Sequence, residues 1–319
     1  MHYAPAPMHI PDGFLSVLVS IICWAITVGI LALAVSRANK TFSERQIPLM
    51  GVMAAFIFAA QMINFPVAGG TSGHLLGGAL AAILLGPWAG MLVMTAVIGV
   101  QGLLFQDGGL LAMGANLLNM GLLAVTVAYG LYRTVLNRSR GLKLFVAGIA
   151  AWLSVMTGAL ATALQIWLSG NAKLEIILPA MLGIHALIGF GEALITIAAL
   201  SFIFKVRPDL AEEKETAKGG RGWVVAGLLI ALAVTVLSPL ASANPDGLER
   251  VAIKMGFEHL GQAAPYQVIP DYTLPFLGAT SLSTILAGAL GVLVVAGLFF
   301  LAARLLHKRE SNRRARRER

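Results

Sequence analysis

Charge is scarce in this chain. Only 12% of its 319 residues are Asp, Glu, Lys or Arg, where a soluble domain carries about a quarter. None occurs anywhere in 47–106. This excludes a water-soluble globular fold and leaves a chain whose core is set by lipid. Cysteine is nearly absent too. Cys23, inside an apolar run, is the single one, so an intrachain disulfide and a cysteine-rich metal site are excluded. There is no GxxxxGK(S/T) phosphate loop, so any ATP hydrolysis belongs to another chain. There is no HExxH and no GxSxG. An intramembrane hydrolase would have to use His185 and Glu192 without the motif such chemistry needs. No basic segment precedes the first apolar run, so no cleavable signal is expected.

What is present is apolar: 58% hydrophobic residues, with 35 glycines that suit close helix packing in lipid. Charge-free runs locate the spans. Residues 13–36 form one, long enough for the roughly 20 residues a bilayer needs. The run 47–106 is too long for one span and suits three, with breaks at NFPVAGGTSG (64–73) and GPW (86–88). Its middle piece, 74–86, is short for a full crossing. Further runs are 108–132, 144–172, 176–204, 222–243 and 272–303. The expectation is an all-α polytopic membrane protein of about nine transmembrane helices.

Lys and Arg orient it. With the N-terminus outside, the inner loops 37–46, 133–143 and 205–221 and the tail after 303 hold 20 of the 23 basic residues. Lys173, Arg250 and Lys254 alone stay outside. The C-terminus is then inside. The basic tail 305–319 needs no nucleic acid, since it anchors topology near anionic headgroups. The charged, Gly-containing stretch 205–221 reads as a cytoplasmic linker. It divides a seven-helix domain, 8–204, from a two-helix domain, 222–304, whose outer loop 244–279 contains NPDGLE. That loop is turn-rich and partly aromatic, hence ordered.

The unusual polar residues gather at the outer side of this topology. His9 and Asp12 precede the first span, and His74 opens the short third one. Asp107 lies on the turn before the fifth, Asn116 and Asn119 follow within it, and His185 and Glu192 lie inside the seventh. Polar groups in a bilayer are expensive and mark a site or pathway. Each also has a plain structural reading. His185 and Glu192 share a face but lie about 10 Å apart along the axis, so each would bond a neighbouring helix. Asn116 and Asn119 would make helix–helix contacts, and Asp107 in QDGG would serve a turn or helix start.

Met8-His9 matters chemically if it starts the chain. The free amine, the next amide nitrogen and the imidazole Nδ1 chelate one ion through five- and six-membered rings. A fourth nitrogen, from His74, completes a square. Square-planar nitrogen ligation selects Ni(II) or Cu(II), with Co(II) possible where geometry relaxes, and is not what tetrahedral zinc asks for.

MHIPDGFLS (8–16), GTSGHLLGGALAAILLGPWAG (70–90), QGLLFQDGGLLAMGANLLNMG (101–121) and HALIGFGEALIT (185–196) occur in that order. Together they resemble the substrate-binding membrane component of nickel/cobalt energy-coupling-factor transporters. The NPDGLE block (244–249) is similar to the small companion subunit of the same systems, fused here into one chain. The resemblance implies a metal site of Met8, His9 and His74. The polar residues that topology gathers beside it, Asp12, Asp107, Asn116, Asn119, His185 and Glu192, are candidates for supporting or pathway roles. It implies no resident cofactor, and Ni(II) or Co(II) as substrate. Its expected partners are cytoplasmic ATPase subunits and a membrane coupling subunit, in a bacterial or archaeal cytoplasmic membrane. Pro11-Asp12 leans to nickel. A self-contained secondary carrier is the alternative, although it would expect repeated mid-membrane acids, and Glu192 stands alone.

The extension MHYAPAP (1–7) departs from the family pattern, because Met8 then has no free amine. Translation starting at Met8 is the expected explanation. Removal of the extension, or a duplicate chelate from Met1-His2, are the others.

Overall fold

The computed structural model describes residues 9–41, 46–211 and 221–317. Met8, the extension 1–7, positions 212–220 of the expected linker and the last two residues of the tail lie outside the described residues. Within them the fold is the all-α membrane bundle that the sequence anticipates.

The chain runs through α1 (Val17–Thr41), α2 (Gln46–Gln61), a two-stranded antiparallel hairpin of β1 (Phe65–Val67) and β2 (Thr71–Gly73), α3 (Gly78–Leu85) and α4 (Pro87–Leu104). Then come α5 (Met113–Asn116), a π-turn (Leu117–Leu123), α6 (Ala124–Tyr132), α7 (Arg140–Leu168), α8 (Leu174–Val206) and the short α9 (Pro208–Ala211). The last part holds α10 (Arg221–Thr235), α11 (Gly247–Met255) and α12 (Ser281–Arg317).

Each charge-free run contains a helix. Among the described residues seven helices are long and apolar enough to cross a membrane. The other two fall short. α2 has 16 residues and α3 has 8, about 24 Å and 12 Å at 1.5 Å per residue. Both expected breaks are real. The β-hairpin occupies the first. At the second, Gly86 takes φ 78 and Pro87 starts α4, where its missing N–H costs no helical bond. The cluster at 113–132 is one helix widened by the π-turn, a deviation common at functional sites.

α10 and α12 both pack on α2. The approach of α12 is close because Gly291 has no side chain. Any Cβ there would strike the Phe58 ring of α2, the small-residue logic of helix packing in lipid. Large apolar residues left exposed on α1, such as Leu18 and Ile21, face outward, as a lipid-facing helix requires.

The loop between α10 and α12 is ordered. Asp246 caps α11 by accepting the Glu249 N–H at 2.8 Å, and Gly256 ends the helix at φ 77. Five backbone bonds fasten this loop to the bundle: Ser242 N–H to Asn64 O (2.8 Å), Ser72 N–H to Pro245 O (2.9 Å), Gln262 N–H to Asp12 O (2.8 Å), Ile269 N–H to Leu104 O and Asp271 N–H to Phe105 O (both 3.0 Å). The Phe14 ring meets that of Phe257 edge-on at 5.1 Å. Residues 12–14 thus lie against 257–262 of this loop.

Candidate metal site

Residues 9–14 form no helix, so their backbone groups need partners from elsewhere. Asn116 supplies two. Its Oδ1 accepts the Ile10 N–H and its Nδ2 donates to Ile10 O, each at 3.0 Å. Gly109 N–H donates to the same carbonyl at 2.9 Å. Asp12 works in the opposite sense, its carboxylate accepting the N–H groups of Leu110 and Ala112, each at 2.9 Å. The segment is pinned to the 107–116 turn over almost its whole length. Gly108 permits this, since it sits at φ +99 and a Cβ there would lie 2.7 Å from the His9 Cβ.

The pinned segment presents His9, which is buried. Its Nδ1 donates to Asp107 Oδ1 at 2.8 Å, and Tyr272 Oη donates to Asp107 Oδ2 at 2.7 Å. Its Nε2 is buried and has no hydrogen-bond partner. The His74 ring lies alongside, with centroids 6.1 Å apart and planes tilted by 41°. His74 Nδ1 donates to Leu75 O at 3.0 Å, so its lone pair sits on Nε2. Both imidazoles have one ring N–H held by a carboxylate or carbonyl, so that the other nitrogen carries the lone pair, as in metal-ligating histidines. The chelate expected from the sequence uses Nδ1 of His9. Here Asp107 holds that nitrogen, so closing the chelate requires the ring to exchange this bond for the metal.

The segment after His74 is fixed from α8. Glu192, fully buried, accepts the Leu76 N–H at 2.6 Å and the Gly77 N–H at 2.9 Å. His74 is therefore followed by two backbone amides locked to one carboxylate. Asn119 makes the helix–helix contact anticipated for it, bonding Gln165 (2.8 Å) and Thr162 (3.1 Å) of α7. His185 departs from the neighbouring-helix expectation, since its Nδ1 donates to Met181 O of its own helix at 2.8 Å. Asp107 departs from the helix-start reading. Its side chain bridges His9 and Tyr272.

These groups surround one cavity with about 70 Å³ of water-accessible space. His9, His74, Asn116, Asn119, His185 and Asp246 line it. Asp12, Asp107 and Glu192 stand behind it as supports. Sequence reasoning missed two residues, both from the distal loop. One is Tyr272, the second partner of Asp107. The other is Asp246, whose neighbour Gly247 lies so near His185 that a Cβ would sit 2.8 Å from its Cε1. Burial, then the charges of Glu249 and Asp107, pushes the Asp246 carboxyl up to about 7. Burial and the same Asp107 raise Asp271 to about 6, and burial holds the Tyr272 phenol well above its usual range. This concentration of buried carboxyls, with histidine donors between them, is an environment that a cation relieves.

Residues 9–210 match the family described as the cobalt uptake substrate-specific transmembrane region, and residues 221–308 match the PDGLE domain. An Archaeoglobus fulgidus protein provisionally named fused nickel transport protein NikMN is 37% identical over 93% of this chain and 98% of its own length. The fused nickel transport protein NikMN of Rhodobacter capsulatus is 28% identical over 91% and 96%. A solved transition metal transporter is 34% identical, covers 66% of this chain and all of its own, and superposes with a TM-score of 0.57. The chain belongs to the family of cobalt uptake substrate-specific transmembrane proteins, and carries a PDGLE domain behind that region.

Proposed function

We propose that this chain is the metal-capturing component of an ATP-driven importer, with Ni(II) as its substrate and Co(II) as the close alternative. The observation that carries the reading is the pair His9 and His74. They stand side by side in a buried cavity, each with one ring N–H anchored and one nitrogen carrying a lone pair. Two imidazoles without thiolates suit a borderline divalent ion. The names of the fused relatives favour nickel within that class, as does Pro11-Asp12.

We read the bias of Lys and Arg to one set of loops as orienting His9 and the loop 244–279 to the outside of a cytoplasmic membrane, with the C-terminus inside. The ion enters from that side and exchanges water for His9 and His74. Met8 and the amide before His9 complete a nitrogen square when the chain starts at Met8. Cytoplasmic ATPase subunits and a membrane coupling subunit supply the energy for inward release, because this chain has no phosphate loop of its own. The linker 205–221 joins the capture domain to the two-helix domain.

The test is uptake of radioactive nickel by cells expressing the full chain with its partner subunits. His9→Ala and His74→Ala should each abolish uptake while membrane expression is unchanged. Uptake at the wild-type rate in either variant contradicts the site. Uptake that persists without any ATPase contradicts the importer.

A further inference from the structure

We propose that His185 is a transfer residue of the metal site: its Nε2 takes the ion as it passes between the PDGLE segment and His74, then yields it to the pair His9 and His74. This rests on the reading of that pair as the holding ligands.

A histidine inside an apolar membrane helix is expensive and needs a use. The structural use would be a bond that ties α8 to a neighbour, as Asn119 ties its own segment to α7 through Gln165. His185 spends its Nδ1 otherwise, donating to Met181 O of α8 itself at 2.8 Å. That bond fixes the tautomer, so the lone pair sits on Nε2. The ring lines the same cavity as His9, His74 and Asp246, and stands close enough to His74 for their charges to interact. Gly247 of the distal loop packs on the same ring, where a Cβ would lie 2.8 Å from Cε1 and 3.0 Å from Nε2. His185 is thus adjacent both to the loop residues that wall the cavity and to His74.

It is not a third ligand of the held ion. Among the described residues no three histidine, cysteine or acidic side chains stand close enough together to hold one ion. The cavity is also larger than a bare ion needs. Its water-accessible space of about 70 Å³ has room for roughly five to seven waters at about 10–15 Å³ each. A divalent ion enters such a space hydrated and sheds its waters one at a time. At His185 one water leaves as the imidazole lone pair takes its place, a ligand type that suits Ni(II) and Co(II). At the next step that imidazole leaves and a nitrogen of the holding pair replaces it. Each exchange swaps one neutral ligand for another, and no proton or electron moves in it. The residue lowers the barrier between the free and held states without belonging to either. It therefore speeds loading and release equally and leaves affinity unchanged.

The experiment uses full-length protein in detergent with radioactive nickel. Loading is timed by rapid filtration, release by a chase of unlabelled nickel, and nickel held at equilibrium is measured on the same samples. His185→Gln should slow loading and release alike, by about tenfold or more, equivalent to about 1.4 kcal/mol at the barrier. Nickel per chain and affinity should stay at the wild-type values. His185→Ala should do the same. A holding ligand would instead lose affinity through faster release, and a structural residue would lower the folded yield of both variants. Either result overturns the proposal, as do wild-type rates. Nickel held at the wild-type level in His9→Ala or His74→Ala overturns the underlying reading instead, so the two failures are distinguishable.

Discussion

Glu192→Ala should damage nickel binding without touching a single residue of the proposed ligand set. The Glu192 carboxylate accepts two backbone N–H groups, of Leu76 and Gly77, at 2.6 and 2.9 Å, in a fully buried position. Hydrogen bonds to a charged group contribute about 1.5–3 kcal/mol each, and a buried donor left alone costs a similar amount. Removing the carboxylate thus costs roughly 3–6 kcal/mol in the arrangement that holds the segment after His74. If that cost falls on the metal-competent arrangement, nickel affinity drops by about two to four decades, at 1.4 kcal/mol per decade. Glu192→Gln should lie between. Its amide oxygen still accepts one N–H, but its NH2 meets the other donor to donor, so one to two decades are expected. The assay is competitive nickel titration of purified full-length protein, with thermal unfolding run in parallel. An affinity within tenfold of wild type for Glu192→Ala, at unchanged folded yield, would refute the claim that this carboxylate positions His74.

Asn116→Ala removes both bonds to Ile10, leaving the Ile10 N–H without that partner while the Ile10 carbonyl keeps the Gly109 N–H. Hydrogen exchange at the Ile10 amide should accelerate at least tenfold, and nickel affinity should fall with it. Gly291→Leu should force α12 off α2, because the new side chain meets Phe58. Overpacking of this kind costs about 1–3 kcal/mol, and would appear as a lower unfolding temperature of the full chain. The loop carrying Asp246 should dock more weakly as pH rises, when no nickel is added. Docking raises this carboxyl from 3.8 to about 7 against burial, Glu249 and Asp107. The docked state therefore binds more protons, and its stability is full below pH 4 and declines up to pH 7. The total is at most about 4 kcal/mol. Asp246→Asn keeps the helix cap and should flatten that dependence, read as protease sensitivity of residues 244–279 between pH 4 and 8.

Spans and breaks were legible because they rest on local chemistry. Charge-free runs mark apolar helices, and NFPVAGGTSG and GPW contain the turn formers that become the β-hairpin and the Gly86-Pro87 junction. The short third piece was visible as short for the same reason. His9 and His74 could be paired because topology put both at one end. The supports were less legible. Glu192 serves amides 115 and 116 residues away, and backbone N–H groups carry no signature in a sequence. Asp107 looked like a turn residue because its turn is local while both its partners are distant. Tyr272 sits in an aromatic, turn-rich loop where nothing in the spacing distinguishes it from Tyr266. His185 shares a helical face with Glu192, yet its ring turns back to the Met181 carbonyl, a rotamer choice that periodicity does not reveal.

The central claim is that His9 and His74 together hold the ion. The most direct measurement is nickel content, by inductively coupled plasma mass spectrometry, of full-length protein purified without an N-terminal tag and equilibrated with Ni(II). The N-terminal mass is determined on the same sample. The account predicts about one nickel per wild-type chain, and loss of the ion in both His9→Ala and His74→Ala. One nickel per chain retained in either variant would contradict it.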